Sequence, residues 1–241
     1  LAQIRLLLTT RGDDQQNLSK FQRLDEKLDH LDKSLPLVQD IKTESDYLKA
    51  RLYRRLHIDV EAENALVALI KDNPANHLWQ TKALNELLNL KLSQAAHQGE
   101  TEAWRVLRRV AEKNRSHLPQ LAMAALNRQA DLWYQQKERQ KAKVLYQEVL
   151  DFPQQNSLQV AAAQLALAEI YYEEAYYRKA ITLYEKALKS RPEANRLYRL
   201  VYKAYVRKSL AAGETLYRNG EMAAATKVFK ELLQFDQQIV E

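Results

Sequence analysis

Apolar residues in this chain recur every three or four positions, and no sustained stretch alternates apolar and polar with period two. That periodicity is the mark of amphipathic helices and leaves almost nothing to read as strand. It predicts helices near 44–56, 59–72, 77–97, 100–113, 118–136, 139–151, 157–174, 177–190, 193–218 and 221–235. The breaks between them hold turn residues: His57, Asn73 with Pro74, Gly99, Asn114 to Ser116, Gln136 to Glu138, Pro153 to Asn156, Pro192, and Asn219 with Gly220. The last of these is the clearest, because Asn-Gly permits the positive φ that a tight helix-to-helix turn often needs.

The richest stretch is AEIYYEEAYYRKAITLYEKALKSRP, from Ala168 to Pro192. Ala168 is followed by Tyr171, then Ala180 and Tyr184, then Ala187 with Leu188, and Pro192 closes the pattern. Alanines at 168, 180 and 187 let two helices approach closely, while the tyrosines fill the space beside them. These residues resemble the tetratricopeptide repeat (TPR), a helix pair of 34 residues with a small residue, an aromatic three on, then A-x3-F/Y and a terminal proline. The same frame of a small residue, a bulky one at +4 and an apolar one at +7 occurs at Ala62, Ala103, Ala142, Ala180 and Ala225. Ala50, Tyr53 and Pro74 support the copy at Ala62, and Ala130, Trp133 and Pro153 support that at Ala142; the Ala103 and Ala225 copies are degenerate.

Successive anchors stand 41, 39, 38 and 45 residues apart. Excesses of 4, 7 or 11 over the family's unit add about one, two or three turns and keep the apolar stripe on its face. The excess of 5 fits less well and points to a loop residue near Gly99. The resemblance therefore implies an all-α chain, a right-handed α-solenoid of antiparallel helix pairs with about five TPR-like repeats, several with lengthened helices. Repeats fall near 43–76, 77–117, 118–156, 157–192 and 193–241. A generic helical bundle is the alternative.

Residues 1–42 stand apart. Leu18, Phe21, Leu24, Leu28, Leu31, Leu35 and Val38 form an a/d-like seam, and residues 13–46 carry nine acidic against five basic side chains, a net of −4 in a chain of net +6. Pro36 is expected to break or kink a helix here. The segment reads either as a coiled-coil docking arm or as a divergent helical pair packed on the end of the solenoid.

Composition narrows the chemistry. With 46% hydrophobic and 28% charged residues the 241-residue chain can bury a core, and four glycines and five prolines leave little material for hairpins. Absence of cysteine removes disulfides, thiolate zinc sites and cysteine nucleophiles. No run approaches the ~18 apolar residues of a membrane span. A start at Leu1 and the closing QQIVE read as those of a fragment of a longer repeat protein. None of the motifs G-x-G-x-x-G, G-x-x-x-x-G-K, H-E-x-x-H or G-x-S-x-G is present. His30, His57, His77, His97 and His117 never fall three or four apart, so none can pair on one helix to hold a metal. Asp13-Asp14 and Glu173-Glu174 are sequence neighbours that a helix points about 100° apart, unlike a glycosidase pair. We expect no catalytic site, cofactor or metal.

What remains is recognition. The TPR resemblance implies a concave groove lined by the first helix of each repeat, here Arg51, Arg54 and Arg55, then Asn127, Asp131 and Tyr134, then Glu169, Tyr172 and Glu173. A basic end followed by a tyrosine-bearing stretch suits a protein or peptide segment with acidic and apolar anchors. The family's clamp for a C-terminal carboxylate wants lysine and asparagine where Asn127 and Asp131 stand, which argues against it here. The glutamine- and tyrosine-rich, cysteine-free composition resembles bacterial TPR proteins of the cell envelope, including those of polysaccharide export and outer-membrane assembly, and favours a periplasmic or membrane-associated setting over a cytoplasmic one. Arg196, Arg199, Lys203 and Arg207, with Tyr198, Tyr202 and Tyr205 beside them, raise nucleic-acid binding as an alternative. A regulatory domain of an enzyme outside this fragment is another. Exposed apolar ends of a solenoid also offer a route to self-association.

Overall fold

A run of leucines and alanines at helical spacing, with few β-branched residues to oppose it, folds here as helix throughout. The computed structural model describes residues 18–20, 22–23, 26, 30, 36–72, 77–99, 102–154, 158–191 and 194–240, and no strand occurs among them. The helices are α1 (Pro36–Arg55), α2 (Asp59–Asp72), α3 (His77–His97), α4 (Ala103–Asn114), α5 (Pro119–Gln135), α6 (Arg139–Leu150), α7 (Leu158–Glu173), α8 (Tyr177–Leu188), α9 (Asn195–Arg218) and α10 (Met222–Val240). The chain divides into two compact units, Leu1–Leu132 and Trp133–Glu241. In the first, α1 packs on α2, α2 on α3, α3 on α4, and α1 also meets α3. In the second, α6 packs on α7, α7 on α8, α8 on α9 and α9 on α10.

The first helix starts earlier than its hydrophobic pattern indicated. Pro36 stands at the first position of α1, and the residues before it, where the break was expected, lie outside the described ones. At the first helical position the missing N–H is one that has no intrahelical acceptor anyway, and the ring's fixed φ suits the helix. The boundary drawn at 42/43 thus falls inside a continuous helix. Of the leucine seam, Val38 is buried and Leu18 packs with Tyr47 and Leu56 on the Leu48–Leu52 cluster of α1. Phe21, Leu24, Leu28, Leu31 and Leu35 lie outside the described side chains, as do the turns at Asn73-Pro74 and Pro192.

A repeated backbone device joins helices of a pair. His57, Lys137, Ala175 and Gly220 have φ of 57°, 65°, 63° and 82°. Each follows the end of a helix, and the next N–H closes the turn on a carbonyl five residues back: Ile58 to Tyr53 at 2.9 Å, Glu138 to Trp133 at 2.9 Å, Tyr176 to Tyr171 at 2.8 Å and Glu221 to Leu216 at 2.9 Å. This is the left-handed cap that satisfies otherwise orphaned helix carbonyls. The carbonyl of the residue after the left-handed one, Ile58, Glu138, Tyr176 or Glu221, then accepts from the anchor alanine, Ala62, Ala142, Ala180 or Ala225, at 3.0–3.1 Å. Small residue, bulky residue at +3, left-handed residue at +7, alanine at +12 and bulky residue at +16 recur without insertion in four copies, beginning at Ala50, Ala130, Ala168 and Gly213.

The remaining copy departs for a visible reason. Gly99 is left-handed at φ 82°, but α4 is capped only at Glu102, so two more residues enter the turn. Ala103 sits one residue past the cap instead of four and is half-buried; Val106, which accepts the fourth place, is buried and bonds to the Glu102 carbonyl at 3.4 Å. The extra loop length near Gly99 is where the anchor spacing had placed it.

Two substitutions test this account. Ala175 is exposed and its methyl packs on nothing that its loss would empty, so Ala175→Gly relieves the left-handed strain at a smaller entropic cost and stabilises by ~0.5–1 kcal/mol. The denaturant midpoint rises with the slope unchanged. Gly213 lies under the Phe229 ring: a Cβ there would stand 2.6 Å from Cζ and closer still to Cε1. Gly213→Ala therefore overpacks α9 against α10, and the ~1–3 kcal/mol cost exceeds the ~1 kcal/mol gained in helix propensity. Urea melts of G213A, F229L and the double variant should show F229L offsetting most of the G213A loss; an additive pair would sink the contact.

Candidate protein-interaction surface

Counting from the small residue of each frame, the expected groove positions are −3, +1, +4 and +5. In the first unit Arg51 and Arg55 are exposed on α1, whereas Arg54 is half-buried and its Nη1 donates to Glu86 Oε1 of α3 at 2.6 Å. The same two helices meet at Tyr47 and Trp79, ring centroids 5.3 Å apart, and Lys82 Nζ stands 4.0 Å over the Trp79 ring. Burial, and then the Glu86 carboxylate, push the Tyr47 phenol up from its ordinary value. Beyond Arg54 a cleft of about 590 Å³ opens between His57, Asp59, Ser93, Gln94 and His97. Gln94 Nε2 donates across it to Asp59 Oδ2 at 3.4 Å. The structure thus places a polar groove along the ends of α1 and α3, with Arg54 already committed to a carboxylate.

Asn127 does not offer its side chain to a partner. It is 8% exposed, because α5 is buried almost all round, from Leu121 through Asn127 and again at Gln129 and Ala130. A helix so rich in alanine is thin enough to be covered on every face, which the groove register alone does not reveal. Asp131 is half-exposed.

In the second unit the expected residues do converge. Tyr134 Oη donates to Glu173 Oε1 at 2.8 Å, and Arg139 Nη2 reaches Glu173 Oε2 at 2.8 Å. Next to it Lys143 Nζ donates to both oxygens of Glu174 at 2.9 Å, each side chain less than a fifth exposed. Lys143 and Lys179 stand 5.7 and 5.4 Å from the Tyr171 ring, and Tyr171 meets Tyr176 edge-on at 6.2 Å. Cations on an electron-rich phenol face are favourable. Tyr172 meets Tyr177 edge-on at 5.8 Å, and Glu169 is exposed. Burial, then the hydrogen bond to Glu173, push Tyr134 up to about 12; burial, then Glu169, do the same for Tyr184.

By the same count the fifth frame puts Leu210, Glu214, Tyr217 and Arg218 of α9 at the expected positions, which sequence reasoning missed; all four are exposed. The signal was Gly213, small like Ala168 and likewise sixteen residues before its bulky partner. His30, His57, His97 and His117 are all exposed, and no group of three or more His, Cys, Asp or Glu among the described residues could hold a metal ion. No described helix is long and apolar enough to cross a membrane.

No family model and no curated protein matches the chain. Among solved structures it is similar to BtubC (BKLC) from P. vanneervenii, at 15% identity over 95% of this chain and 92% of that chain, with a TM-score of 0.39. So distant a likeness carries no argument about fold or function.

The tyrosine shifts have a pH consequence. A phenol whose folded pKa lies above its unfolded value near 10 leaves the folded state holding more protons between those values, so its contribution is full below pH 10 and is lost as pH rises toward 12. Tyrosinate absorbance should show Tyr134 and Tyr184 titrating late. In Tyr134→Phe one late group disappears and stability falls less steeply from pH 10 to 12; an unchanged slope would contradict the Glu173 contact.

Proposed function

We propose that the chain is a non-catalytic TPR-type scaffold that binds a protein or peptide partner in a groove lined by the first helix of each pair. The frame that recurs with its left-handed cap at Ala50, Ala130, Ala168 and Gly213 carries the reading. In a right-handed α-solenoid of antiparallel pairs each helix also meets the second helix after it. Contacts of that order support it: Arg54 of α1 with Glu86 of α3, Tyr134 of α5 with Glu173 at the end of α7, and Arg178 of α8 with Glu231 of α10 at 3.6 Å. Exposed Arg51 and Arg55 in the first unit, and exposed Glu169 and Tyr217 with half-buried Tyr172 in the second, suit partner segments with acidic, basic and apolar anchors. A cell-envelope assembly or polysaccharide-export complex is the setting we favour, on composition.

The nucleic-acid reading loses its stacking platforms. Tyr205 is buried with its hydroxyl accepting from Arg178 Nε at 2.9 Å. Tyr198 and Tyr202 are half-buried and stacked on each other at 6.3 Å, and Tyr198 Oη donates to Glu185 Oε1 at 3.3 Å.

Selection from a displayed random-peptide library tests the groove. Peptides enriched on the parent chain should lose about tenfold or more in affinity, ~1.4 kcal/mol, with Arg51→Glu or Glu169→Lys, and bind Arg108→Glu on α4 unchanged. Equal losses in all three variants, or in none, would refute the groove.

A further inference from the structure

We propose that a cleft in the first unit, between α2, α3 and α4, binds a small amphiphile that carries a carboxylate on an apolar chain. The inference does not rest on the groove reading. The cleft measures about 320 Å³, at the small end of the roughly 300–1,000 Å³ of ligand pockets, which are mostly apolar with a few placed polar groups. Buried Leu87, Ala95, Val106, Val110 and Leu121 line it, with half-buried Val67 of α2, and no aromatic ring is among the described residues that do. The sequence gives the reason. Counted back from left-handed Gly99, α3 carries Leu92 and Ala95 where the four regular frames have their small residue and their bulky one. A bulky residue at the first place opposes close approach of α3 and α4, and a methyl at the second leaves room where the other pairs put Tyr53, Trp133, Tyr171 or Leu216. The turn before α4 is also the lengthened one, with its cap at Glu102. This pair therefore departs from the frame at each place that closes the others.

The polar edge of the cleft is cationic. Lys91, Arg109 and Lys113 line it against a single carboxylate among the described residues, that of Glu63, which is already joined to Lys91 Nζ. Arg109 and Lys113 stand four apart on α4 and so share a face, and both are exposed. Glu112, their neighbour on the same helix, is engaged by Arg108 at 2.8 Å. The aliphatic stems of Arg109 and Lys113 extend the apolar wall while their charged heads reach water. An apolar chain entering the cleft gains by leaving water, whereas a charge carried in with it is costly to bury. The arrangement suits a ligand whose charge stays at the rim, where a guanidinium can donate two hydrogen bonds to a planar carboxylate. An ammonium at the same place meets like charge, and a neutral head gains only the apolar contact.

Isothermal titration of the full chain with decanoate, decanol and decyltrimethylammonium, each below its micellar concentration, tests the site. Decanoate should bind at one site per chain, decanol about tenfold more weakly and the ammonium more weakly still. Ala95→Phe puts a ring into the cleft and should abolish binding of all three while keeping the parent's circular dichroism. Val67→Phe narrows the cleft from α2, at a half-buried position with more freedom to adjust, and decides the matter if Ala95→Phe loses helix. Arg109→Glu/Lys113→Glu should reverse the order, so that the ammonium binds more tightly than decanoate. A parent that takes up no decanoate, or that binds the ammonium equally well, overturns the proposal. So does decanoate binding that survives in a folded filling variant, or an order of affinities that the charge-reversed variant leaves unchanged.

Discussion

The distance between two helices of a pair is set by what stands at one position, sixteen residues before the bulky side chain of the partner helix. Gly213 beneath Phe229 shows the constraint at its limit: there is no room for a methyl. Alanine fills the same place at 50, 130 and 168, each fully buried. Everything downstream follows from that approach. A close pair needs a short turn, and a short turn needs one left-handed residue. That residue fixes which carbonyl the next helix starts from, and so which face of it carries the buried alanine and tyrosine. Leu66, Tyr146 and Tyr184 are then buried with their apolar neighbours, each contributing roughly 1.5–3 kcal/mol.

Most of this was legible in the sequence because helical periodicity and small-residue spacing are local properties. Helices α2 and α3 have the limits that the pattern gave them, and most other ends agree within a residue or two. The exceptions have causes that periodicity does not encode. The left-handed residues at His57, Lys137 and Ala175 are invisible to a search for glycine, since their conformation is enforced by the bonds on either side. Gly213 was passed over because glycine inside a helix ordinarily reads as a weak point, whereas here it is a contact. Asn127 looked like a groove residue because register tells which way a side chain faces within its helix, not what covers it.

The candidate surface differs between the units in how its charges are used. Around Glu173 and Glu174 the carboxylates are shared among Tyr134, Arg139 and Lys143, so this part of the surface is held in one arrangement. A partner there meets rigid groups whose desolvation has already been met within the fold. On α9 the exposed Arg199, Lys203 and Arg207 have no such partner among the described residues, and on α1 exposed Arg51 stands near an Arg54 that is already engaged. Preorganised phenols and carboxylates favour selectivity; solvated cations favour rapid encounter and salt-sensitive binding.

The aromatic residues are also unevenly distributed. Trp79 and Trp104 lie in the first unit, with Tyr47 and Tyr53, while from Tyr134 onward the second unit holds the other tyrosines and, of the tryptophans, only Trp133 at its first residue. Lys141 Nζ stands 4.5 Å from that Trp133 ring. The molecule therefore carries its own pair of optical reporters: indole emission follows mainly the first unit, phenol ultraviolet signals mainly the second, and the order in which the two halves loosen is readable without attaching any label.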